Sequence, residues 1–356
     1  MGLALSGSAT FPITPPPLPA FAAFRSGLPM TSPVPLPPSS GAAGGHAVVV
    51  GGMHRSGTSL LASLVHGAGV SMGQRLMGTG NGNDAGHFED LDFHDLHERA
   101  LIGNGLGAEG FTPVAEPAVP EPLRAAAERL VADRRGSGCT WGWKDPRTVL
   151  FLEFWAEMLP EARFVFVFRS PWEVVDSFFR RGDPAFVFNP LLAARVWLHY
   201  NRLILRFVSR HPDRCLVRET RQVAQQAKQV FAAIRHRLGV PVGDPPELYR
   251  PELLGSDAEG RHAQLLAAAF PEAIEVYHRL CHEAGTRPPA FDPGPLSTAE
   301  LAILEWSRAA RLERDNDDVR RDWIAIRAAA DAEIAALRAR LDEAAPAAEP
   351  QVPRAA

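Results

Sequence analysis

One stretch of this sequence is spaced to do chemistry on its own: Gly52-Met53-His54-Arg55-Ser56-Gly57-Thr58-Ser59, with two glycines in G-x-x-x-x-G register. In such a loop, successive backbone N–H groups backed by a helix N-terminus form an anion site. The nucleoside-triphosphatase version continues with a lysine that reaches the β- and γ-phosphates. Thr58 stands at that position here. The loop therefore suits a single phosphate or a phosphosulfate better than a triphosphate, with Arg55 as its cation. Cys139, Cys215 and Cys281 are scattered with no C-x-x-C pair, so neither a cysteine zinc site nor a disulfide scaffold is expected.

The elements around the loop are those it needs. His46-Ala47-Val48-Val49-Val50 reads as a buried parallel strand, and Leu60, Leu61, Leu64, Val65 and Ala68 follow at helical spacing. Further strands are expected at 140–143, 163–168 (Arg163-Phe164-Val165-Phe166-Val167-Phe168) and 215–218. Helices are expected after Lys144-Asp145-Pro146-Arg147 through about Met158, over 190–210 and over 223–238. Ser170-Pro171-Trp172-Glu173 reads as a capping box with proline at the first helical position. This alternation predicts a three-layer α/β domain, P-loop NTPase-like, with a central parallel sheet.

The ends differ from the middle. Residues 1–45 hold ten prolines, six glycines and one charge, Arg25, which predicts a disordered tail. Met30 is a plausible alternative start, and the fit of Met1–Ser6 to a myristoylation pattern is read as chance. The domain is expected over 46–296, a long helix over 297–345 and a second tail over 346–356. In the helix, Val319, Trp323, Ile326, Ala330, Ile334, Leu337 and Leu341 recur at three- and four-residue spacing. This seam predicts a homodimeric coiled coil or, alternatively, a helix docked on its own domain. With 46% hydrophobic residues, 22% charged residues and a net charge of −4, the chain is expected to be globular and not a nucleic-acid binder. No apolar run is long enough to span a membrane, no signal peptide is recognisable, and a cytoplasmic setting is expected.

On these residues the chain resembles the sulfotransferases that use 3′-phosphoadenosine 5′-phosphosulfate (PAPS). His54-Arg55-Ser56-Gly57-Thr58-Ser59 is similar to that family's 5′-phosphosulfate loop. The resemblance implies that Ser56, Gly57, Thr58 and Ser59 hold the 5′-phosphate and that Arg55 sits near the bridging oxygen. It further implies a 3′-phosphate site at Arg169, which ends a strand, and Ser177, eight residues later, with Pro171 completing an R-x-P pattern. A guanidinium fork with a hydroxyl suits a phosphate dianion.

Sulfuryl transfer to an alcohol needs a base for the acceptor proton and cations for the leaving phosphate, and no metal is required. Arg55 and Lys144 are the cation candidates, Lys144 resembling the family's strand-end lysine. Some members carry a catalytic histidine two residues after that lysine, but Pro146 stands there. Asn83-Asp84-Ala85-Gly86-His87-Phe88-Glu89-Asp90 resembles the stretch in which another branch carries a catalytic glutamate. Glu89 is therefore the expected base, with His87, Asp90 and Asp145 as alternatives. The expectation is a sulfotransferase acting on a hydroxyl acceptor, a carbohydrate or glycolipid first. The alternatives are a P-loop nucleotide kinase or NTPase, or an inactive nucleotide-binding scaffold assembled through the C-terminal helix.

Overall fold

Four short strands made largely of β-branched and aromatic residues build the centre. The structure is a computed structural model and describes residues 46–78, 88–113, 116–247, 261–288 and 299–344. The two expected tails and His87 lie outside the described residues. Strand β1 (Ala47–Gly51) leads through the glycine loop into α1 (Thr58–Gly67). Then come α2 (Leu91–Gly103), α3 (Glu121–Arg135), β2 (Trp141–Lys144), a buried 3₁₀ turn (Pro146–Phe151) and α4 (Leu152–Met158). Strand β3 (Arg163–Phe168) precedes α5 (Pro171–Arg181), α6 (Pro184–Phe188) and α7 (Pro190–Arg210). Strand β4 (Cys215–Glu219) is followed by α8 (Thr220–Gln225), α9 (Ala227–Leu238), α10 (Arg261–Ala269), α11 (Pro271–Ala284) and α12 (Ala299–Ala344).

The strands pair in the order β2-β1-β3-β4, all parallel, with Val50 opposite both Lys144 and Val165. The period of two along each strand sorts side chains between two faces. Ala47, Val49, Trp141, Trp143, Phe164 and Phe166 pack on one face against α2, α4 and α7, where Phe93 stacks on Trp143 at 4.2 Å. Val48, Val50, Val165, Val167 and Leu216 pack on the other against α1 and α9. The result is a three-layer α/β domain. Because β1 lies between β2 and β3, the chain crosses to opposite sides of it. The loop after β1 therefore sits at the carboxyl edge where the strand order reverses, the usual place for a ligand in an open parallel sheet.

Three local expectations are corrected. The helix expected over 223–238 starts earlier and is broken: Glu219 and Gln222 form a capping box that starts α8, and Gln226 (φ −131°, ψ 35°) separates it from α9. The helix expected after Lys144-Asp145-Pro146-Arg147 opens as the 3₁₀ turn Pro146–Phe151, with Asp145 accepting a hydrogen bond from the Arg147 N–H at 2.9 Å. Ser170 does not cap α5 through its side chain. Its hydroxyl donates to the Glu173 carboxylate, which also faces Arg169 and Arg221, so this carboxylate, rather than a backbone N–H, takes the serine.

The C-terminal helix has two parts. Its first turns are docked: Ile303, Trp306 and Ala310 belong to the main core. The Trp306 Nε1–H donates to Asp176 Oδ1 of α5 at 3.0 Å, and its ring meets Phe179 edge-on at 5.3 Å. From Asp315 to Arg338 every residue is exposed. Removing the buried indole leaves a cavity and deprives Asp176 of a donor. Trp306→Ala is therefore expected to destabilise the chain by about 3–5 kcal/mol, read as a fall in midpoint by urea unfolding; an unchanged midpoint would show that α12 is not part of the core.

Candidate active site

The loop between β1 and α1 is held by steric fit. Gly52 has φ 151°, and a Cβ there would lie 2.3 Å from the Val167 carbonyl oxygen. Gly57 has φ 81°, and its Cβ would lie 2.6 Å from Thr220 Cγ2. Arg55 is also left-handed (φ 66°), with Ser56 between the two. Left-handed residues in such a turn shape an anion-binding nest, and in a non-glycine residue the conformation costs about 1–3 kcal/mol. Helix α1 starts at Thr58 with no side-chain cap on its first N–H groups. Thr220 Oγ1 lies 2.6 Å from the Ser56 carbonyl and 2.9 Å from the Phe168 carbonyl, tying the loop to the end of β3 with one hydroxyl.

The side chains around the loop form two groups. In the first, Arg55 Nε donates to Ser177 Oγ at 2.8 Å. Burial, with Arg181 and Arg169 nearby, pushes the Arg55 guanidinium down to about 10, against a smaller opposing effect of Asp183. Among the described residues no carboxylate forms an ion pair with Arg55. Arg169 lies at the end of β3 and donates to Glu173 Oε1 at 3.3 Å. Sequence spacing paired Ser177 with Arg169; here it is Arg55 that bonds Ser177, so the loop and α5 are joined directly.

In the second group, Lys144 Nζ donates to Glu89 Oε1 at 2.6 Å and to Ser59 Oγ at 3.2 Å, with the lysine side chain only 2% exposed. Arg147 Nη2 and His94 Nε2 lie 3.7 and 3.9 Å from Glu89 Oε2. The neighbouring carboxylates are engaged elsewhere. Asp90 accepts from the Asp92 N–H at the start of α2 and pairs with Arg134 at 3.0 Å. Asp145 is fully buried and accepts from Arg147 and from His97 Nδ1, both at 3.0 Å. Trp155 Nε1–H donates to His97 Nε2 at 2.9 Å, which fixes the tautomer with the proton on Nδ1. Burial alone would raise Asp145, but Arg147 and His97 hold it well below the usual carboxylate range.

Two buried atoms at the loop lack a hydrogen-bond partner: Ser56 Oγ and His54 Nε2. His54 packs edge-on against Phe111 at 5.2 Å. Sequence reasoning missed Arg147, Arg181 and Thr220. Only Thr220 had a local signal, its place just after a strand at the sheet's carboxyl edge. Among the described residues no group of three or more His, Cys, Asp or Glu side chains is placed to hold a metal, and no helix is long and apolar enough to cross a membrane.

The site and fold define an α/β domain with a glycine loop at the switch point of its parallel sheet. No protein-family model and no curated protein matches the chain. Among solved structures it is similar to the sulfotransferase domain of the olefin synthase of Synechococcus PCC 7002, with 18% identity and a TM-score of 0.35 over 75% of this chain and 96% of that one. It is also similar to a sulfotransferase of Alicyclobacillus acidocaldarius, with 16% identity and a TM-score of 0.39 over 69% and 98% of the two chains. A third is a sulfotransferase of Mycobacterium tuberculosis H37Rv, with 12% identity and a TM-score of 0.37 over 74% and 76%.

Burial pushes the imidazole of His54 well below its ordinary range, helped by Arg147, and lowers that of His97 against the pull of Asp145. Below the unfolded histidine value of about 6.5 the unfolded chain binds protons that the folded chain refuses. The stability these neutral rings contribute is therefore complete above about pH 6.5 and falls as the pH drops from there. Calorimetric Tm should decline between about pH 7.5 and 5.5, and His54→Leu should flatten part of that slope. A Tm constant over the window would contradict the buried neutral assignment.

Proposed function

We propose that this chain is a sulfotransferase that moves a sulfuryl group from PAPS to a hydroxyl acceptor. The observation that carries the reading is Arg55, a half-buried loop guanidinium that pairs with no carboxylate among the described residues, is bonded to Ser177 and has Arg169 and Arg181 nearby. Clustered cations of this kind call for a bound polyanion, and the loop's Thr58 in place of lysine argues against a triphosphate. The orphaned Ser56 hydroxyl and the uncapped start of α1 fit a phosphate in the same place.

In this reading the backbone of Ser56, Gly57, Thr58 and Ser59, with the hydroxyls of Thr58 and Ser59, holds the 5′-phosphate. Arg169 and Ser177 hold the 3′-phosphate. When bound, PAPS supplies the sulfuryl group. Arg55 and Lys144 offset charge on the leaving phosphate, and no metal takes part. Glu89 accepts the proton of the acceptor hydroxyl on a carboxylate oxygen. Lys144, bonded to both Glu89 and Ser59, couples the base to the loop. The acceptor class we favour is a carbohydrate or glycolipid. The three free cysteines fit a reducing, cytoplasmic setting.

The test uses two isomers. Adenosine 3′,5′-bisphosphate (PAP) and ADP have the same atoms and differ in where the second phosphate sits. Calorimetry on the full chain should show PAP binding at least about 10-fold more tightly than ADP or ATP; preference for ADP or ATP would overturn the reading in favour of a nucleotide kinase or NTPase. Arg169→Ala should weaken PAP by about 10- to 100-fold while changing 5′-AMP little, since only PAP carries the 3′-phosphate. Glu89→Gln should lower turnover by about 100-fold or more with PAP affinity nearly intact. Equal losses for PAP and AMP would remove Arg169 from the 3′-site, and undiminished turnover would move the base elsewhere.

A further inference from the structure

The outer part of α12 has a surface that the sulfotransferase reading does not use. From Asp315 to Arg338 the helix buries nothing, a run of about 36 Å at the usual rise per residue. It nevertheless presents Trp323, Ile326 and Leu337 at 63%, 68% and 53% exposure. Most helical stability in proteins comes from packing an amphipathic face, and a contiguous exposed apolar stripe marks an interaction surface.

The stripe's spacing is regular. Val319, Trp323, Ile326 and Ala330 repeat eleven residues on as Ala330, Ile334, Leu337 and Leu341. Eleven residues in three turns is about 3.67 per turn, close to a straight helix and the period of right-handed supercoils. At about 98° per residue, Val319, Ala330 and Leu341 form the centre line. Trp323 and Ile334 flank it on one side, with Arg327 and Arg338 just beyond them. Ile326 and Leu337 flank it on the other, with Asp322 and Glu333 just beyond.

One edge of the stripe is thus basic and the other acidic, each charge type repeating after eleven residues. Two such helices side by side in parallel bring the basic edge of one against the acidic edge of the other. Asp322 then meets Arg327 of the second copy and Glu333 meets Arg338, each pair five residues apart, as in the edge salt bridges of parallel coils. Antiparallel pairing would set arginine against arginine and carboxylate against carboxylate. We propose that α12 pairs with the α12 of a second copy of this chain as a parallel, in-register two-stranded coil over 319–341.

Sedimentation equilibrium of the full chain should give twice the chain mass at micromolar concentration. Ile326→Asp with Leu337→Asp should raise the dimer Kd by at least about 100-fold, since it places charges in the seam. Both positions are exposed in the single chain, so its folding should be unaffected, as calorimetric Tm under monomeric conditions will show. Arg327→Glu with Arg338→Glu should also dissociate the dimer. Mixing that variant with Asp322→Arg, Glu333→Arg should restore a mixed dimer. In a Cys139→Ser background, Val319→Cys should cross-link to itself under mild oxidation, because parallel register sets position 319 beside its copy. A monomer throughout, or a dimer indifferent to Ile326→Asp with Leu337→Asp, would overturn the proposal. So would a monomer that instead binds anionic phospholipid vesicles. A dimer without the Val319→Cys cross-link would overturn the parallel register.

Discussion

A half-buried guanidinium that pairs with no carboxylate among the described residues is the constraint around which this site is arranged. Arg55 cannot withdraw to solvent: its backbone is left-handed, Gly52 and Gly57 on either side leave no space for a side chain, and its Nε is fixed on Ser177. A neutral serine oxygen answers only part of the charge, and Arg169 and Arg181 add like charge nearby. Lys144 shows the other solution to the same difficulty. It is more deeply buried than Arg55, yet it meets Glu89 at 2.6 Å and is neutralised in place. One side of the loop is therefore neutralised by its own carboxylate, and the other carries an excess of positive charge.

The neutral side depends on packing further down. Lys144 ends a strand whose Trp141 and Trp143 lie in the aromatic layer with Phe93 and Trp155. Beside it in sequence, Asp145 and Arg147 join a buried chain Trp155–His97–Asp145–Arg147 through hydrogen bonds of 2.9–3.0 Å. This network fixes the direction in which the strand leaves the sheet and so delivers Lys144 and Arg147 to opposite oxygens of Glu89. A fully satisfied buried network rigidifies its surroundings in a way that apolar packing alone does not.

What could be read from the sequence follows how local each signal is. Val48-Val49-Val50 and the phenylalanine-valine alternation of 163–168 carry their strand character within five or six residues, and α7 carries its amphipathic period over its whole length. The glycine loop is legible because its conformational demand is written in two residues. The pairing of Ser177 with Arg55 was not legible, since it joins residues separated by 122 positions through the sheet. Thr220 was missed for the same reason, its partners lying 164 and 52 positions away. Ser170 shows the opposite failure. The capping pattern is present, but two arginines draw Glu173 aside and the serine follows the carboxylate. The break at Gln226 is a competition between two helix starts that periodicity does not register.

Helix α5 turns two consecutive residues to different tasks. Ser177 meets the loop arginine, and Asp176 receives the indole proton of Trp306 from α12. Arg314 of α12 also donates to the Arg181 carbonyl at the end of the same helix, at 3.3 Å. Mechanically, α5 is a shaft clamped at both faces: it cannot tilt toward a substrate without levering the docked end of α12 out of the core. The Ser177 side of the glycine loop is thus a fixed surface. Any hinge in this domain has to lie in a part of the chain other than α5.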